Sequence, residues 1–151
     1  MSSVQSPVHV VEILLVEDNE TDVLIAREAL KEARVVNNLH IVDNGEDAVA
    51  FLHRDPPYED APRPDLVLLD WNLPRRSGQE VLQDIKTNED LKRIPVVILT
   101  TSQAEEDILK AYGLHANSYV TKPLDFDAFR RVLRAMEQFW LCVVKLPQRP
   151  T

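Results

Sequence analysis

The chain has 151 residues, 44% of them hydrophobic and 28% charged, which suits one domain with one core. Its 17 Lys and Arg against 25 Asp and Glu give a formal charge of −8, which argues against nucleic acid as a partner, because a phosphate backbone calls for a basic face. The lone Cys142 rules out an intrachain disulfide, no run approaches the roughly 18 apolar residues of a membrane span, and Met1–His9 shows no signal-peptide pattern; the expectation is a cytoplasmic chain.

After a polar start, Val10–Val16 is a short, almost continuous apolar run, the pattern of a strand buried on both faces. Glu17, Asp18 and Asn19 follow it at once, and Glu20 to Ala33 has Leu24, Ile25 and Leu30 at helical spacing. Leu39–Val42 predicts a second strand, Asp43-Asn44-Gly45 a turn, and Asp47 to Arg54 a short helix. Four prolines between Asp55 and Pro64 demand a loop. Leu66–Leu69 is a third apolar strand ending at Asp70, and Gly78 to Thr87 a helix with Val81, Leu82 and Ile85 on one face. Val96–Leu99 is a fourth strand ending at Thr100, and Glu105 to Tyr112 a fourth helix. Ser118-Tyr119-Val120 is a short fifth strand ending at Lys122-Pro123. Asp125 is placed to cap a last helix that carries Phe129, Val132, Leu133, Met136 and Trp140.

Strand and helix alternate five times, which predicts an α/β fold: a doubly wound, five-stranded parallel sheet with helices on both faces. In the common strand order 2-1-3-4-5, the first and third strands are neighbours, and ligands bind at their carboxyl ends. That edge collects Glu17, Asp18, Asp70, Thr100 and Lys122. Clustered carboxylates repel, by roughly 4 kcal/mol for two charges about 4 Å apart at an effective dielectric near 20. Either one is protonated or a cation is present. All the candidate ligands are oxygens, which suits Mg2+ better than zinc. Asp70 is the candidate nucleophile, since a carboxylate can attack phosphorus to give an acyl phosphate. Lys122 supplies a point charge and Thr100 a hydroxyl, groups that phosphoryl transfer uses for positioning and charge neutralisation.

Glu17-Asp18, Asp70-Trp71-Asn72-Leu73-Pro74, Thr100 and Lys122-Pro123 together resemble the receiver domain of two-component response regulators, over roughly Val10 to Glu137. The resemblance implies a flavodoxin-like fold for residues 8–141, phosphorylated on Asp70 by a sensor histidine kinase, with assisted self-phosphorylation and self-dephosphorylation rather than turnover of a separate substrate. It implies Mg2+ (or Mn2+) held by Asp18, Asp70, the Asn72 backbone carbonyl and Glu17, a switch pair in Thr100 and Tyr119, and a cis bond at Lys122-Pro123. Thr101 departs from the alanine or glycine of many relatives, which predicts slower phosphoryl turnover. The segment Phe139–Pro147, which leads into a C-terminal apolar extension over residues 142–151, and the proline-rich loop are similar to the response regulators of cyanobacterial phytochromes, implying a phytochrome-like kinase as partner and no output domain. Independently, the last helix is apolar over more than one face. Phe129, Leu133, Met136, Trp140 and Val143 are therefore expected at a homodimer contact.

Other readings compete. An aspartyl phosphatase needs a carboxylic acid two residues after its nucleophile, where this chain has Asn72. A flavin or nucleotide module wants a glycine-rich loop, and of the three glycines, Gly45, Gly78 and Gly113, none directly follows the first strand. A phosphorylation-independent dimeric adaptor would not need the full acidic set with Lys122. His9, His40, His53 and His115 are scattered singletons, and Cys142, in an apolar run, is a packing residue.

Overall fold

In the computed structural model, residues 10–100, 118–122 and 125–139 are described. The expected helix at 105–112, Thr101, Pro123, Trp140 and Val143 lie outside them, as does the side chain of Met136.

Continuous apolar runs form β1 (Val11–Val16), β3 (Leu66–Asp70) and β4 (Val96–Thr100), and every residue of β3 and β4 is buried. β2 (Asn37–Val42) and β5 (Ser118–Thr121) flank them in a parallel sheet of order β2-β1-β3-β4-β5. The strand order is the expected one. β2 begins two residues earlier than its apolar pattern suggests. Asn37 and Asn38 pair with Val11 and Glu12, because an edge strand tolerates polar, half-exposed residues.

The helices start where side chains can take up their free N–H groups. The Asn19 side chain accepts from Asp22 N–H to open α1 (Glu20–Lys31), and that of Asn44 accepts from Asp47 N–H to open α2 (Gly45–His53). Asn44 as cap explains why α2 starts at Gly45 rather than at Asp47. Ser77 and Glu80 form a capping box at α3 (Gly78–Thr87). Asp125 accepts from Asp127 N–H at 3.0 Å at the start of the C-terminal helix (Phe126–Phe139), as expected of a cap.

Alternate strand residues face opposite sides. Ile13, Leu15, Leu66, Leu68, Val97 and Leu99 pack with Ala26, Ala29 and Leu30 of α1 and with Phe129 and Leu133 of the C-terminal helix. Leu14, Val16, Val67, Leu69, Val96 and Ile98 pack with Phe51 and Leu52 of α2 and with Val81, Leu82 and Ile85 of α3. This corrects the assignment of Phe129 and Leu133 to a dimer contact. Both are buried in the chain's own core, so they face the sheet and have no surface left for a second copy.

Candidate functional site

The register of the sheet assembles the site. β1 and β3 are neighbours with Val16 opposite Leu69, so the next residues along each strand, Glu17 and Asp70, fall side by side. The site residues are still tied to the sheet: Glu17 N–H donates to Val42 O at 3.0 Å, Trp71 N–H to Leu99 O at 3.0 Å, and Lys122 N–H to Thr100 O at 2.7 Å. Behind Asp70, α3 begins against the strand end. A Cβ on Gly78 would lie 2.6 Å from the Asp70 carbonyl oxygen, so this close approach requires glycine.

Glu17 and Asp70 are each 1% exposed, and Lys122 reaches them from the end of β5. Its Nζ lies 2.9 Å from Glu17 Oε2, 3.3 Å from Asp70 Oδ2 and 3.2 Å from Asp22 Oδ2. Asp70 Oδ1 accepts from Asn72 N–H at 3.1 Å, and Glu17 Oε2 also accepts from Asn19 N–H at 3.1 Å. Glu17 Oε1 is buried with no hydrogen-bond partner among the described residues. Asp18 is exposed at the rim, and Glu17, Asp18 and Asp70 each offer a carboxylate oxygen within 4.8 Å of the others.

Burial pushes Glu17 up to about 7, assisted by the charge of Asp70 and opposed by its hydrogen bond to Lys122. Asp70 is raised as well, again chiefly by burial, with Lys122 working against the rise. Burial disfavours the Lys122 ammonium, but its bonds to Glu17 and Asp22 and the charge of Asp70 outweigh this, and its pKa moves up. Among the described residues, one ammonium thus serves three carboxylates, and the cluster is short of positive charge. A partnerless buried oxygen, raised carboxyl pKa values and an all-oxygen donor set fit a hard divalent cation.

Of the sequence-predicted residues, Glu17, Asp18, Asp70 and Lys122 meet at this point. Asn72 joins them through its N–H. Thr100 is buried at the end of β4, and Tyr119 is half-buried against the core on the α2 and α3 side. Sequence reasoning missed Asp22. An acid in the first turn of a helix is expected there for its effect on the helix dipole, but such an acid is ordinarily exposed, and Asp22 is 4% exposed and bonded to Lys122. The available signal was that its helix begins directly after the acidic end of β1.

The family model of the response regulator receiver domain matches residues 13–134. Response regulator Rcp1 of Synechocystis sp. (strain ATCC 27184 / PCC 6803 / Kazusa) is 47% identical over 135 residues, 89% of this chain and 92% of Rcp1. The crystal structure of the Mn(2+)-bound form of Rcp1 superposes with a TM-score of 0.76 at 47% identity, covering 91% of this chain and 99% of that one. That of the phosphorylated cyanobacterial phytochrome response regulator RcpA gives 0.78 at 43% identity, covering 93% and 100%. With the parallel sheet, the acidic edge and the lysine after β5, these likenesses identify the chain: it belongs to the response regulator receiver domain family.

Proposed function

We propose that the chain is a phosphorylation switch in which Asp70 accepts a phosphoryl group from a phytochrome-type sensor histidine kinase. The observation that carries this reading is the Asp70 carboxylate at the end of β3, buried and held on one oxygen by Lys122 and on the other by Asn72 N–H. Support for the donor comes from RcpA, a phosphorylated cyanobacterial phytochrome response regulator by its description, alike over nearly the whole chain.

An Asp70 oxygen attacks phosphorus, the bond from phosphorus to the donor histidine nitrogen breaks, and the released imidazole picks up a proton from solvent. Lys122 pairs with Asp70 before the transfer and with a phosphoryl oxygen after it. Glu17, Asp18, Asp70 and the Asn72 carbonyl would hold Mg2+, or Mn2+ as in the Rcp1 crystal, which when bound neutralises phosphoryl charge. Hydrolysis of the acyl phosphate at the same centre resets the switch. Thr100 and Tyr119 carry the change outward: the hydroxyl is drawn to the phosphoryl group and the ring turns inward. A kinase that draws on ATP places the chain in the cytoplasm. Self-association uses the apolar residues toward the end of the chain, with Met136, Trp140 and Val143 as candidate contacts.

Incubation with labelled acetyl phosphate tests the reading. Wild type takes up label with Mg2+, and neither the chelated protein nor Asp70→Asn does. Undiminished label on Asp70→Asn would contradict it.

A further inference from the structure

We infer that Asp22 is a positioning residue for phosphoryl transfer: it is the counter-ion that keeps the Lys122 ammonium aimed at Asp70 when the other carboxylates are engaged. The inference deepens the phosphoacceptor reading and rests on it.

A lysine ammonium has three N–H donors. Among the described residues Lys122 has three carboxylate neighbours, Glu17 at 2.9 Å, Asp22 at 3.2 Å and Asp70 at 3.3 Å. Two of these, Glu17 and Asp70, also belong to the group of oxygens that could share a cation, and the third member of that group is Asp18. Asp22 stands outside it. Once Glu17 and Asp70 turn oxygens toward a cation, and Asp70 carries a phosphoryl group, Asp22 is the one carboxylate of the three outside that group and still facing Lys122. Its place is fixed by α1, where its N–H is bonded to the Asn19 side chain at 2.9 Å, and its side chain is 5% exposed. A group held in this way restrains the long, flexible lysine without entering the reaction. It is also why the ammonium stays charged and directed while two of its partners change theirs.

A double-mutant cycle on the rate of phosphorylation by acetyl phosphate with Mg2+ tests this, using wild type, Asp22→Asn, Lys122→Ala and the double variant. The expected result is a loss of about tenfold for Asp22→Asn in the Lys122 background and no further loss in the Lys122→Ala background. Equal losses in both backgrounds overturn the inference, because Asp22 would then act on structure or field and not through Lys122. Asp22→Ser gives a second removal of the charge should the Asn variant not fold. The readout independent of transfer is the 15N-edited proton signal of the Lys122 ammonium at saturating Mg2+. It should persist in wild type and vanish in either Asp22 variant, and its persistence in both variants overturns the inference. Failure of the underlying reading looks different: wild type would take no label, or Lys122→Ala would not slow it.

Discussion

Lys122 must balance Glu17, Asp22 and Asp70 with one charge, and the imbalance has a consequence for stability. Glu17 titrates near 4.5 in an unfolded chain and near 7 in the fold, so the folded state binds its proton more tightly. Between those values the folded protein carries more protons than the unfolded one, and stability falls as pH rises. The full effect is on the order of 3 kcal/mol above pH 7 and is absent below pH 4.5; the raised Asp70 acts in the same direction. Metal-free protein should therefore unfold at lower urea at pH 8 than at pH 5. Saturating Mg2+ should recover most of the difference, because a ligand of the native state at about 100 times its Kd adds roughly 2.7 kcal/mol. A midpoint that rises from pH 5 to pH 8 without metal would contradict this electrostatic picture. Glu17, Asp18, Asp70 and Lys122 were legible in the sequence because apolar strands ended in polar groups at one edge. Asp22 was not, because burial of a helix-start acid is a tertiary fact, and its place just after the acidic end of β1 points to the site without showing that it is buried.

At the scale of elements, the strands were readable because a sheet covered on both faces leaves uninterrupted apolar runs. Their ends were less so: β2 opens on two asparagines, and the start of α2 is set by Asn44, which local pattern alone assigns to a turn. The C-terminal helix shows the harder problem. Apolar residues at three- and four-residue spacing indicate that a helix packs, not which of two broad faces meets the sheet. Phe129 and Leu133 meet it. Accordingly Phe129→Ala should cost about 3–5 kcal/mol and Leu133→Ala about 2–5 kcal/mol in urea unfolding, with the cost unchanged on tenfold dilution. A cost that shrinks on dilution would return these residues to a subunit contact.

The whole molecule gathers its acidic chemistry at one edge of the sheet, where the ends of β1 and β3 meet Lys122 after β5. Sedimentation at micromolar concentration should show a dimer, weakened by Trp140→Ala; a monomer with and without a phosphoryl mimic would rule self-association out. The central claim is that one buried carboxylate, made reactive by its neighbours and a divalent ion, carries the phosphoryl group. Its most direct test is borohydride trapping of the acyl phosphate, with peptide mass spectrometry of the wild-type chain as the readout. Reductive modification is expected at Asp70, dependent on Mg2+ and on prior exposure to acetyl phosphate. Modification at another residue, or at Asp70 to the same extent without Mg2+, would contradict the claim.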